Sequence, residues 1–280
     1  MAEPTVLSFT ATDGYAWQYR RYVAAGTPRA EVVVLHGIQS HGGWYDRSCG
    51  ELAAAGYAVS SLDRRGSGMN QRDRGDATSF RRLLDDVAEF TSIQSRPRFV
   101  VGISWGGKLA VGLPRRHPGI ADGLVLVAPG LRPRVRQPFR QGLRIAASRL
   151  LSPKRTYPIP LNDPNLFTAT PDRKKFIHDD PLALREASAR LLFESGRMDV
   201  YLRFAARHVA VPVLLLLAEH DRIIDNAATR RFAERFATVD VTVIEYPGAH
   251  HTLEFEPGGP PLVSDLLRWL EKQTHTASLS

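Results

Sequence analysis

Apolar positions along this chain follow two alternating rhythms. Glu31-Val-Val-Val-Leu35, Tyr57-Ala-Val-Ser-Ser-Leu62, Arg98-Phe-Val-Val-Gly-Ile103 and Gly123-Leu-Val-Leu-Val-Ala128 are short apolar runs without strict alternation, a pattern that predicts strands buried on both faces. Pro212-Val-Leu-Leu-Leu-Leu217 and Val241-Thr-Val-Ile-Glu245 read as two further strands. Between the strands lie stretches of helical period. One covers 44–55 and stops at Gly56; in another, 79–94, the residues Phe80, Leu83, Leu84, Val87 and Ala88 share one face. Helices over 226–237 and 262–272 close the series. Upstream, β-prone runs at 6–10 and 15–20 flank Thr12-Asp13-Gly14, where Asp-Gly suits the positive φ angles of a hairpin turn. The fold class that follows is α/β: a mostly parallel sheet with an antiparallel N-terminal hairpin and helices on both faces.

The stretch 131–208 breaks this rhythm. It is rich in proline, lacks a buried-strand pattern and carries pieces of helical period, so it reads as a helical lid inserted into a core made of 1–130 and 209–272. Residues 273–280 read as a polar tail that frays. Within the insert, Phe139, Leu143, Ala146 and Leu150 share one helical face, and Arg136, Arg140 and Arg144 form a stripe four residues apart beside it. Such a helix either lies on an anionic membrane surface or packs by its apolar side and leaves its arginines in water.

Composition changes this picture little. The 280 residues are 43% hydrophobic and 24% charged, an ordinary globular balance. The net charge of +8 is concentrated in the insert, where sixteen Lys and Arg face seven Asp and Glu. The basic residues come without a nucleic-acid-binding motif or interleaved stacking aromatics, so no nucleic-acid partner is expected. With no basic segment leading into an apolar stretch near residue 1, and no run near the roughly 18 apolar residues a span requires, the expected compartment is the cytoplasm. Cys49, the single cysteine, cannot form an internal disulfide and is expected to pack.

The strongest chemical signal is Gly102-Ile103-Ser104-Trp105-Gly106-Gly107, directly after a predicted strand and before the helical run 108–113. A serine on a sharp strand-to-helix turn projects its hydroxyl above the sheet, and glycine two residues before and after relieves the crowding. Serine needs a base to take its proton and a carboxylate to hold the tautomer of that base. Asp221 stands just past the end of the 212–217 run, and His250 and His251 follow the 241–245 run; Glu219 and Asp225 compete with Asp221, and His250 and His220 with His251. Asp225 precedes a predicted helix and reads as its cap. The chain order Ser, Asp, His is that of α/β-hydrolases. The N–H groups of Ile38 and Trp105 are the natural pair for an oxyanion hole, with His36 and Gly37 in the same loop. A histidine in that turn holds the loop through hydrogen bonds more readily than it acts as a second base; with Gly37 and Trp105 it is also expected to contact substrate.

Together these motifs resemble the monoacylglycerol lipase and lysophospholipase branch of the α/β-hydrolases. The resemblance rests on His36-Gly-Ile-Gln-Ser-His-Gly-Gly-Trp-Tyr45, Asp63-Arg-Arg-Gly-Ser-Gly68, Ala218-Glu-His-Asp-Arg-Ile-Ile224 and Gly248-Ala-His-His-Thr-Leu253, and covers the core on either side of the insert. It favours His251 over His250. It implies ester hydrolysis through an acyl-enzyme, with Ser104 attacking, His251 carrying the proton and Asp221 orienting it, on lipids of monoacylglycerol or lysophospholipid type, with no metal or organic cofactor. Two positions depart from the branch: Trp105 replaces a more usual methionine, and Gly42-Gly43-Trp44 a more usual serine and arginine. Thioester, amide or acyl-transfer chemistry could use the same residues, and a binding protein without turnover remains the contrasting class.

Overall fold

The computed structural model describes residues 3–259 and 262–277. In chain order its elements are β1 (Thr5–Thr10), β2 (Ala16–Tyr22), β3 (Glu31–Leu35), α1 (Asp46–Ala54), β4 (Ala58–Leu62), α2 (Phe80–Ser92), β5 (Arg98–Ile103), α3 (Gly106–Arg116) and β6 (Gly123–Val127). There follow α4 (Phe139–Leu151), β7 (Thr156–Pro158), α5 (Pro171–Asp179), β8 (Glu186–Ser188), α6 (Ala189–Ala205), β9 (Val213–Ala218), α7 (Asn226–Ala233), β10 (Val241–Tyr246) and α8 (Leu262–Ala277). Eight strands form one sheet in the order β1-β2-β4-β3-β5-β6-β9-β10. The hairpin β1–β2 is antiparallel and joins β4 antiparallel; from β4 to β10 every pairing is parallel. The α/β class and the antiparallel entry are therefore as the apolar rhythm implies.

The middle of the sheet is dry because its strands carry no polar face: every residue of β3, β4, β6 and β9 is buried. Full burial of each aliphatic side chain there contributes roughly 1.5–3 kcal/mol. The outermost strands differ. β1 is mostly exposed and β10 is only partly buried, as befits the two edges of the sheet. Helix α2 starts where its cap dictates, the Ser79 hydroxyl accepting from the Arg82 N–H at 3.1 Å. Helix α1 packs with α8, whereas α2 and α3 pack with each other and with α6.

Three expectations need correction. The helix expected over 44–55 starts as a short 3-10 turn at Gly42–Tyr45 before α1. The stretch 273–277, expected to fray, continues α8; the Gln273 side chain is buried and reaches Asp240 at 3.4 Å, while 278–280 lie outside the described residues. The insert is not purely helical either, since β7 and β8 form a two-stranded antiparallel ribbon. The orientation of α4 is the most informative difference. Ile145 and Ser148 face inward, Ile145 clustering with Tyr157 and Ala189, while Phe139 (81% exposed), Leu143, Leu150 and Leu151 (84%) face solvent. The apolar stripe is thus not the packed side of the helix.

Candidate active site

Strand β5 delivers Ser104 to the sheet's carboxyl edge, and α3 begins two residues later. The reversal is sharp enough that Ser104 adopts φ +50°, a left-handed conformation that costs a non-glycine residue on the order of 1 kcal/mol or more. Hydrogen bonds around the turn hold it there: the Ser104 N–H donates to Val127 O at 2.9 Å, and its carbonyl accepts from Gly107 and Gly130. Gly106 is required because any Cβ would drive into the Leu35 carbonyl, and a Cβ on Gly102 would stand 2.7 Å from the Gly107 Cα.

Asp221 and His251 come from the loops after β9 and β10, adjacent parallel strands, so both reach the same edge as Ser104. His251 Nε2 lies 3.0 Å from Ser104 Oγ, and His251 Nδ1 lies 2.7 Å from Asp221 Oδ2. The other Asp221 oxygen accepts from the N–H groups of Ile223 and Ile224, both at 2.8 Å. Asp221 and His251 are buried, so their interaction is little screened by water. The competing residues are engaged elsewhere. Asp225 caps α7 through the Ala228 N–H, Glu219 accepts from the Gly248 N–H, His250 pairs with Glu256, and His220 is exposed against the His250 ring.

The loop after β3 brings Gly37 against the serine: a Cβ at Gly37 would lie 3.4 Å from the Ser104 Cβ. Among the described residues, neither the Ile38 N–H nor the Trp105 N–H has a protein acceptor, which leaves both free for an oxyanion beside Ser104. Trp105 also heads α3, whose N-terminal dipole favours negative charge at the same place.

His36 contradicts its expected contact with substrate. Its Nε2 accepts from the Arg64 N–H at 3.0 Å, so its Nδ1 carries the proton and donates to Gly37 O at 2.6 Å. Burial pushes its pKa well below the ordinary histidine value. It is a neutral brace inside the loop, the role favoured for a histidine in that turn.

A cleft of about 590 Å³ opens over Ser104, lined by Ile38 and Trp105 from the core and by Ile145, Ile159 and Leu192 from the insert. That size suits a small lipid or ester. Trp105 forms part of its wall, with its Nε1 donating to Ser195 Oγ of α6 at 2.9 Å.

Sequence reasoning missed two tethers. Asp180, in the insert, receives His41 Nε2 at 3.1 Å and Trp44 Nε1 at 2.6 Å. Burial opposes its charge, but these donors prevail and hold its pKa below the usual carboxylate value. Arg64 donates to Gly37 O and Ile38 O, both at 3.0 Å. Neither tether has a periodic signature in sequence, although Gly42-Gly43-Trp44 marked the first as unusual.

Behind the histidine loop, Glu254 is buried against Ser48, whose N–H it accepts at 3.0 Å. Desolvation raises its pKa to about 7, from an ordinary value of 4.5. A carboxyl with a raised folded-state pKa contributes stability that is complete below pH 4.5 and is lost as pH rises to about 7. The loss is on the order of 3 kcal/mol. Glu254→Gln is expected to remove this slope, so that urea titrations at pH 5 and pH 8 show its stability relative to wild type rising with pH. A constant difference between the two would refute the assignment.

Comparison with known proteins gives the chain a family. The family model described as serine aminopeptidase, S33, matches residues 26–258. The chain belongs to this family. Among its relatives are monoacylglycerol lipases and a lysophospholipase. It is 28% identical to the monoacylglycerol lipase of Mycolicibacterium smegmatis across 94% of this chain and 95% of that protein. It is 26% identical to lysophospholipase L2 of Escherichia coli K12, across 89% and 81%. A soluble variant of the Saccharomyces cerevisiae monoglyceride lipase, solved with a substrate analogue, superposes with a TM-score of 0.84 at 19% identity, covering 98% of this chain and 96% of that one.

Proposed function

We propose that this S33-family chain hydrolyses carboxylic esters of single-chain lipids, monoacylglycerols or lysophospholipids, through an acyl-enzyme. The hydrogen-bonded line Asp221–His251–Ser104 beneath a largely apolar cleft carries the reading. Ser104 Oγ attacks the ester carbonyl as its proton passes to His251 Nε2, and negative charge on the carbonyl oxygen meets the N–H groups of Ile38 and Trp105. His251 then returns the proton to the leaving alcohol. Water, deprotonated in turn by His251, releases the fatty acid. Asp221 keeps the Nδ1 proton in place and stabilises the imidazolium.

A panel of p-nitrophenyl esters of increasing chain length, 1-monoacylglycerols, lysophospholipids, acyl thioesters and anilides tests this reading, with fluorophosphonate labelling in parallel. Turnover of the single-chain lipids above the thioesters and anilides is expected. Labelling without ester turnover would sink the lipid assignment, and neither labelling nor turnover would leave a ligand-binding protein.

The 131–208 insert acts in this reading as the lid over the cleft. No described helix is long and apolar enough to cross a membrane, but α4 is suited to lie on one. Its exposed Phe139, Leu143, Leu150 and Leu151 project from a helix whose Ile145 lines the cleft, and Arg136, Arg140 and Arg144 are exposed without an ion pair among the described residues. An apolar stripe flanked by arginines fits an anionic lipid surface. Each arginine contributes about 1 kcal/mol near such a surface, so the double change of Arg140 and Arg144, which lie outside the cleft lining, to Gln is expected to weaken binding to anionic vesicles roughly 30-fold and to leave hydrolysis of a soluble ester unchanged. Equal binding of both proteins to neutral and anionic vesicles would refute it.

A further inference from the structure

Arg64 occupies an unusual position for a cation. It is half-buried in the turn after β4, and its hydrogen-bond partners are two main-chain carbonyls: Nη1 donates to Gly37 O and Nη2 to Ile38 O, each at 3.0 Å. Its guanidinium carbon lies 4.9 Å from the centroid of the Trp105 ring. No carboxylate forms an ion pair with it among the described residues, since neighbouring Asp63 is taken by Arg20 and by the N–H groups of Gly42 and Met69. Burial lowers its pKa to about 10, so it stays charged at neutral pH.

We propose that Arg64 is the positioning residue of the oxyanion hole, bracing both of its donors at once. The argument rests on the Ser104 reading and on the geometry of one amide. Gly37 C=O and Ile38 N–H belong to the same peptide unit, and in a trans amide the two point in opposite directions. Fixing the carbonyl therefore aims the N–H. Two donors fix it, Arg64 Nη1 from one side chain and His36 Nδ1 from another. The guanidinium does more than hold, because a charge-assisted bond to the carbonyl polarises the amide and strengthens its N–H as a donor. On the other half of the hole, the same guanidinium packs on the indole of Trp105, whose main-chain N–H is the second donor. A unit positive charge thus sits behind the place where negative charge appears in the tetrahedral intermediate. The contribution is larger there than in the ground state, which is what raises kcat.

Arg64→Met and Arg64→Lys test this, the lysine keeping the charge but replacing the planar fork with a single head. Three quantities are read: kcat and KM for p-nitrophenyl butyrate, and Ki for an alkyl trifluoromethyl ketone. Ser104 Oγ adds to that ketone's carbonyl carbon as His251 takes the proton, placing an oxyanion in the hole without a leaving group. For Arg64→Met, kcat is expected to fall roughly 30-fold, less than the 100-fold or more seen when a donor itself is removed. KM should stay within about twofold and Ki should rise by about the same factor as kcat falls, with Arg64→Lys between the two proteins in both quantities. A general loss of folded protein would lower the active fraction without moving Ki, and Arg64→Lys repeats the test if the methionine variant unfolds. Unchanged Ki in a folded variant, or kcat within twofold of wild type, would overturn the proposal. Ser104→Ala run alongside separates the two failures: if it stays active, the nucleophile assignment falls, and if it is inactive while Arg64→Met is fully active, only the brace falls.

Discussion

Ser104→Ala is expected to lower kcat for a p-nitrophenyl ester by a factor on the order of 10⁶, and to abolish fluorophosphonate labelling, while the protein stays folded. The magnitude follows from losing the acyl-enzyme route altogether, since the remaining hole and cleft can only assist attack by water. Stability should hardly change, because alanine keeps the same left-handed φ of +50° and loses only the bond to His251 Nε2. Ser104→Gly should be equally inactive but should melt at a higher temperature, since glycine adopts that φ without strain. The pair of variants thus separates chemistry from strain. Residual turnover within 100-fold of wild type in either would mean that another group supplies the nucleophile.

The parts of this molecule that were legible in the sequence are those governed by burial and chain direction. The runs at 31–35, 57–62, 98–103, 123–128 and 212–217 are mostly apolar without alternation because their strands have almost no wet face, and such runs announce themselves. Ser104 was legible because the steric demand of its turn fixes glycines at 102 and 106. Asp221 was legible because loops after parallel strands meet at one edge, whereas the choice of His251 over His250 came from the resemblance. What was hidden depends on where side chains point across long separations. Arg64 and Asp180 reach the oxyanion loop from other elements through hydrogen bonds that leave no period. The stripe on α4 was visible, but whether a stripe faces core or water depends on its neighbours, and here Tyr157 and Ala189 receive Ile145 on the opposite side. The three-residue strands β7 and β8 are too short for alternation to register.

Asp221→Asn is expected to cost about 10⁴-fold in kcat with the fold intact, and the environment of Asp221 says why. Its Oδ1 accepts from two main-chain N–H groups, those of Ile223 and Ile224, and its Oδ2 faces His251 Nδ1. An asparagine must keep its single oxygen toward the two N–H groups, because turning its NH₂ on them would leave two buried donors unpaired at about 1–3 kcal/mol each. The NH₂ therefore points at His251 Nδ1, which must accept, so the imidazole proton moves to Nε2. In that tautomer Nε2 faces Ser104 Oγ as a donor and can no longer take its proton. Asp221→Ala distinguishes this from simple loss of charge. It leaves the His251 tautomer unconstrained but orphans the Ile223 and Ile224 N–H groups, so it should be less stable than Asp221→Asn and yet no less active. The reverse ranking, a less active alanine variant with unchanged stability, would show that Asp221 acts through its charge alone and that its two main-chain bonds do not decide the tautomer of His251.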